Sequence, residues 1–101
     1  MKKNLIIMAC VVAGLSLPII AQAYPGDEFT KEAKVTLEAA RDIALKTFPG
    51  DVKEYELEKE AGGSGLRYSF VIVSHAVGHE VGIDAATGDV LENIPEGSNP
   101  D

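Results

Sequence analysis

The chain has 101 residues and a formal net charge of −7, with 16 acidic and 9 basic residues. So acidic a protein is unsuited to binding nucleic acid or an anionic lipid surface, because both are polyanions. Its single cysteine excludes an internal disulfide, and its length allows one domain with a modest core.

Residues 1–23 have the composition of a cleavable signal peptide. Lys2 and Lys3 form a short positive start, residues 5–20 are mostly apolar, and Ala21-Gln22-Ala23 has the small-x-small pattern of a cleavage site. The apolar run is interrupted and shorter than the roughly 20 residues that a membrane span needs. We therefore expect cleavage after Ala23, secretion to the periplasm and no stable membrane insertion afterwards.

The predicted cleavage would change the composition of the working protein. It removes Lys2, Lys3 and Cys10 but no acidic residue, so the net charge goes from −7 to −9. The remaining domain has no thiol, and packing alone must stabilise it. The weaker alternatives are a retained membrane anchor and a lipoprotein attached through Cys10.

After a polar leader over residues 24–35, the sequence predicts one amphipathic helix over residues 37–48. Apolar residues recur there at spacings of three and four, which places them on one helical face. They are Leu37, Ala40, Ile43, Ala44 and Phe48. Thr36 is a suitable N-cap, and Pro49-Gly50 would stop the helix.

The rest of the chain is predicted to form an antiparallel meander of three to four strands. The segments are 54–60, 66–74, the stretch around Val81 and Ile83, and 90–94. Turns are expected at 61–65, at Gly78 and at 86–88. Together with the helix, these strands predict an α+β domain over residues 36–95, in which the helix covers one sheet face, followed by a polar tail over 96–101.

The order of these elements and several short motifs resemble the PepSY domain family. The helix segment 38–45, the Phe48-Pro49-Gly50 stop, the glutamate-rich strand and the Arg67-Tyr68 start of the aromatic strand all match its pattern. Residues 81–91 carry the most specific part, because Asp84-Ala85-Ala86-Thr87-Gly88-Asp89-Val90 resembles that family's closing hairpin, an acidic residue and Ala followed by x-Thr-Gly-x-Val.

This resemblance implies a role in protein binding. The family occurs in propeptides of secreted metallopeptidases, in spore-germination proteins and as free-standing exported domains, with a proposed role in restraining peptidases or in sensing at the cell envelope. No peptidase domain follows in this sequence, so we expect action in trans on another protein. The resemblance implies no catalytic residues, and we expect neither enzyme activity nor a cofactor.

Asp84, Thr87 and Gly88 are interpreted as turn residues. An aspartate side chain can accept backbone N–H bonds across a turn, threonine does so more weakly, and glycine supplies a positive φ. A catalytic role for Asp84 is the less favoured interpretation.

Four glutamates on the first predicted strand form a candidate partner-binding surface. Glu54, Glu56, Glu58 and Glu60 share one strand face, with neighbours about 7 Å apart. The simpler interpretation is a solvated face partly balanced by Arg67. The functional interpretation is a docking surface for a basic partner, with an exposed sheet edge as a second contact that could accept an extended peptide.

A metal-binding alternative depends on the two histidines. His75 and His79 flank Ala76-Val77-Gly78, and Glu80 follows. If the hairpin loop has three residues, both imidazoles would face each other and could share Zn²⁺, Cu²⁺ or Ni²⁺ with Glu80. Solvated histidines are the more common outcome, because this set makes an incomplete ligand shell.

We therefore predict a non-enzymatic periplasmic module that inhibits or regulates peptidases, or senses at the envelope, with a metal-binding protein as the alternative.

Overall fold

The structure is a computed structural model that describes residues 23–97. In chain order it contains a 3₁₀ helix (Asp27–Glu32), helix α1 (Leu37–Thr47) and strands β1 (Asp51–Lys59), β2 (Leu66–Ser74), β3 (Val77–Asp84) and β4 (Val90–Pro95). The strands form one antiparallel sheet in the order β1-β2-β3-β4, and α1 packs on one of its faces. The predicted α+β fold is confirmed, with four strands. The predicted signal peptide up to residue 22 and tail residues 98–101 lie outside the described residues.

Helix α1 begins and ends where local chemistry dictates. The side-chain oxygen of Thr36 accepts a hydrogen bond from the backbone N–H of Ala39 at 3.1 Å, as an N-cap does. The helix ends at Thr47, and Phe48 is extended, since a residue before proline disfavours helical geometry. The buried face consists of Leu37, Ala40 and Ala44.

The core lies between α1 and the two central strands. Its largest fully buried side chains are Tyr68, Phe70, Leu57, Ile72, Ile83 and Val81. The Tyr68 hydroxyl donates a hydrogen bond to the Val35 carbonyl at 2.7 Å, which ties the approach to α1 to the centre of the sheet. Burial, with a smaller contribution from Tyr24, raises the pKa of Tyr68 to about 12, so this hydroxyl stays a donor at neutral pH.

The segment that we interpreted as a leader packs against the sheet. The backbone N–H of Leu57 in β1 donates to the Pro25 carbonyl at 3.0 Å, and the rings of Tyr24 and Tyr55 lie 5.4 Å apart. Gly26 has a φ of 87°, and a Cβ on it would overlap the carbonyl oxygen of Leu57. Residues 24–35 are therefore part of the folded unit and cover an edge of β1.

The first strand differs from its predicted bounds. β1 begins at Asp51, three residues earlier than expected, with an irregularity between Val52 and Glu54, and it ends at Lys59. Glu60 therefore lies beyond the strand. The early start is possible because pairing with β2 supplies hydrogen bonds that the sequence pattern does not reveal.

The predicted turn at Gly78 is wrong. The β2–β3 connection consists of His75 and Ala76, both with positive φ (51° and 67°), and Ser74 pairs with Val77 directly after it. Gly78 instead lies inside β3, where the Glu96 side chain occupies the space that a Cβ would fill. Glycine at this position allows the Glu96 side chain to approach the backbone of β3, and it does not form the turn.

Candidate functional site

The sheet face opposite α1, called the outer face below, is left uncovered by the helices that the structure describes. Side chains alternate along strands, so the residues between the core positions lie on this face. They include Glu54, Glu56 and Glu58 of β1, Arg67, Ser69 and Val71 of β2, Glu80 and Gly82 of β3, and Glu92 and Ile94 of β4.

Strand pairing arranges the outer face in rows that cross the sheet. One row contains Glu54, Val71, Glu80 and Ile94, and the next contains Glu56, Ser69, Gly82 and Glu92. Adjacent strands lie about 4.8 Å apart, so Glu54 and Glu80 stand on either side of Val71 with backbones separated by about 10 Å. Carboxylates therefore flank β2 from both sides.

The outer face borders an open concavity, which Tyr24 and Pro25 of the leader also line. This concavity of about 750 Å³ is lined by Glu54, Glu56 and Glu58, and Glu60 also borders it although it lies beyond β1. The structure thus brings together the four glutamates predicted as a partner-binding surface. Three further glutamates line the same concavity, namely Glu80, Glu92 and Glu96. The sequence alone did not reveal Glu92 and Glu96 as members of this surface, because only the register of β3 with β4 places them on the same face as the β1 glutamates.

Arg67 closes one end of the outer face rather than neutralising the β1 glutamates. It is 7% exposed; its Nη2 donates to the Ala61 carbonyl at 3.0 Å, and its Nη1 lies 3.7 Å from Glu92 Oε1. The absence of a side chain at Gly82 leaves room for it, since a Cβ there would lie 3.4 Å from Arg67 Cδ. Its charge is therefore directed to β4, whereas Glu58 instead accepts a hydrogen bond from the Ser69 hydroxyl at 2.6 Å.

Each edge of the sheet has one feature that hinders strand addition. On β1, the Leu57 N–H is occupied by the Pro25 carbonyl. On β4, the Glu96 N–H donates to the Gly78 carbonyl, so the alternating pattern directs the neighbouring Pro95 nitrogen away from β3. Proline has no N–H to offer an incoming strand. These two features favour the outer face over an edge as the contact surface.

The turn residues form a compact hydrogen-bonded anchor. Asp84, 2% exposed, accepts hydrogen bonds from the backbone N–H groups of Ala86 and Thr87 and from both the N–H and the hydroxyl of Ser64. The Thr87 hydroxyl accepts the Asp89 N–H at 3.2 Å, and Gly88 has a φ of 85°. The contact with Ser64 links the β3–β4 turn to the β1–β2 loop, and no sequence pattern indicated it.

Opposing effects act on the pKa of Asp84. Desolvation by burial raises it, but the hydrogen bonds from Ser64, Ala86 and Thr87 outweigh this effect and lower the pKa from its ordinary value. The carboxylate is therefore ionised at neutral pH and fully engaged with donors, which suits a structural role.

The structure separates the residues of the proposed metal site. His75 lies in the exposed two-residue turn, so the three-residue loop that the alternative requires is not formed. His79 lies on the α1 side, stacked on the Phe48 ring at 3.8 Å, with its Nδ1 2.8 Å from Asn93 Oδ1. Glu80 points to the opposite face. Within residues 23–97, no group of three or more His, Cys, Asp or Glu side chains could hold a metal ion. Metal binding stays a prediction that no contact favours.

The family described as "Peptidase propeptide and YPEB domain" (PepSY) matches residues 34–93, more than half of the chain, whereas no curated protein and no solved structure matches. Domains of this family are generally non-catalytic propeptide or regulatory modules that interact with peptidases, and they are typically extracellular or periplasmic. None of the helices in residues 23–97 is long and apolar enough to cross a membrane. The chain thus belongs to the PepSY family, as the resemblance predicted.

Proposed function

We propose that this chain is a non-enzymatic binding module of the periplasm that inhibits or regulates a peptidase, or senses at the envelope, through protein contact. The observation that carries this proposal is the family match over residues 34–93, since that family's domains are propeptide-like modules. In this proposal the signal peptide delivers the chain to the envelope, where it contacts its partner.

The outer face supports a binding role because it combines an open concavity with concentrated negative charge. Six glutamates line it in addition to Glu60, and the one basic residue among the paired strand positions of this face is Arg67. Such a surface steers a positively charged partner towards itself and raises the association rate at low salt. The Glu54–Glu60 set is the part of this surface that the sequence predicted.

A peptidase assay tests the proposed function. The purified chain is titrated into envelope peptidases, including a secreted metallopeptidase freed of its own propeptide, and the hydrolysis of a chromogenic peptide is followed. We expect saturable inhibition or activation of at least one enzyme, abolished when the chain is heat-unfolded. No effect on any peptidase, together with no envelope protein retained by the immobilised chain, would contradict the proposal.

A further inference from the structure

The outer face contains a groove that runs along β2. Its floor is formed by Val71 and Ser69, both half-buried, and its end is closed by the Arg67 side chain across Gly82. One wall consists of Glu54 and Glu56 of β1, and the other of Glu80 and Glu92. The groove is thus apolar at its centre and acidic on both sides.

Lysine and arginine are the side chains that match such a groove. Their aliphatic stems pack on apolar surface while their charged ends remain in polar surroundings. A stem lying on Val71 would place its charge beside Glu54 or Glu80, which are the direct neighbours of Val71 across the sheet. In an extended segment, every second side chain points the same way at a spacing of about 7 Å, which equals the spacing between Glu54 and Glu56.

Other occupants fit less well. The described carboxylates do not form a cluster that could hold a metal ion, and an anion would be repelled by the walls. A second copy of the chain is disfavoured because it carries the same net negative charge. Addition of a strand to an edge meets the obstructions at Leu57 and Pro95.

We propose that the outer groove binds an extended, basic segment of the protein partner, face-on along β2, with alternate lysine or arginine side chains between the β1 and the β3–β4 glutamates. This inference rests on the proposed function and adds the chemistry and the orientation of the partner's contact segment. Binding uses side chains against a sheet face and requires no backbone hydrogen bonds to a sheet edge.

A labelled peptide with alternating lysine and serine, (Lys-Ser)₃, is the probe. Its binding to the purified full chain, in whatever processed form it is obtained, is measured by fluorescence anisotropy at low salt. The variant Glu54→Gln/Glu80→Gln should weaken binding about fivefold to tenfold, since each exposed charge pair contributes up to about 1 kcal/mol. Val71→Thr, which keeps the β-branched shape but adds a hydroxyl to the floor, should weaken it about threefold.

Two controls make the result specific. Glu38→Gln/Asp42→Asn removes the same charge from the exposed side of α1, on the opposite side of the sheet, and should change the affinity less than about twofold. A probe methylated at its backbone nitrogens should bind as well as the parent, because face-on docking does not use its N–H groups. Equal loss in both charge variants, or loss of binding on methylation, would overturn the proposal.

The experiments distinguish a failure of the groove proposal from a failure of the proposed function. A peptidase that responds equally to the wild type and to Glu54→Gln/Glu80→Gln, with peptide binding also unchanged, contradicts the groove and leaves the function standing. Site-specific peptide binding, with no effect on any peptidase and no envelope protein retained by the immobilised chain, supports the groove and contradicts the function.

Discussion

Asp84 connects two loops through a single buried carboxylate. Four donors converge on it, two from Ser64 in the β1–β2 loop and two from the backbone of its own turn. Gly63 permits this approach, because a Cβ at that position would overlap Asp84 Oδ2. The aspartate at this position of the closing hairpin therefore has a structural reason, since its carboxylate holds the two loops together.

Asp84→Asn should destabilise the protein by about 2 to 3 kcal/mol at neutral pH, because one acceptor oxygen becomes a donor that faces N–H groups. Urea denaturation measures the change. Ser64→Ala, which removes only the hydroxyl contact, should cost about 1 kcal/mol. An Asp84→Asn variant as stable as wild type would show that the carboxylate does not hold the loops.

The stability difference between wild type and Asp84→Asn should narrow in acid. The pKa of Asp84 is lowered in the folded state, so its contribution is fully present above the ordinary aspartate pKa of about 4 and is lost as the pH falls through the lowered value. Asparagine does not titrate. Urea midpoints for both proteins between pH 7 and pH 2.5 test this, and a constant difference would contradict it.

Ala76 has a φ of 67°, a left-handed conformation that costs a non-glycine residue about 1 to 2 kcal/mol. Ala76→Gly should therefore stabilise the protein by about 0.5 to 1 kcal/mol, since part of the relief is offset by the entropy of glycine in the unfolded chain. Thermal and urea denaturation measure the gain. Gly65→Ala, at a φ of 92° with open space around it, should produce a loss of similar size.

At the scale of elements, the leader and β1 depend on each other. The Pro25 carbonyl satisfies the Leu57 N–H, and Lys59 forms an ion pair with Glu32 at 3.1 Å while lying over the Phe29 ring. The exposed ion pair contributes little. The backbone bond and the aromatic contacts therefore hold the leader on the edge of β1.

Gly26→Ala should detach the leader, because the new Cβ would overlap the Leu57 carbonyl. We expect a loss of more than about 1 kcal/mol and, in hydrogen exchange, a loss of protection at the Leu57 amide that exceeds the loss in β3. The Gly65→Ala variant, with its comparable backbone strain and no overlap, is the matched control. Unchanged protection at Leu57 would contradict the edge-covering role of the leader.

At the scale of the whole molecule, negative charge is concentrated on one face and exceeds positive charge overall. Self-repulsion of this kind opposes compaction and is screened by salt. The same charge that suits a basic partner therefore lowers the stability of the free protein.

Raising NaCl from about 10 mM to about 300 mM at pH 7 should stabilise the protein by about 0.5 to 1 kcal/mol, because the Debye length falls from about 30 Å to below 8 Å. Urea denaturation at each salt concentration measures the effect. Glu54→Gln/Glu80→Gln should reduce the salt response more than Glu38→Gln/Asp42→Asn, since its charges lie on the crowded face. A protein destabilised by salt would contradict this account.

The sequence by itself determined the elements with strong local signals. The helix follows from apolar spacing and the Thr36 cap, and β2 matches its predicted bounds, because β-branched and aromatic residues fill it. The α+β class follows from their order, and the closing hairpin motif identified the family. Each of these signals lies within a short stretch of chain.

The tertiary structure decided the features that depend on residues distant in sequence. Whether Gly78 or His75–Ala76 forms the turn depends on the register between β2 and β3, which local propensity does not specify. Pairing between strands placed Glu80 and Glu92 on the same face as the β1 glutamates, across β2 from them. The sequence therefore predicted only the β1 part of the candidate surface. Strand parity shows which residues share a face of one strand, but it does not show which strands lie side by side.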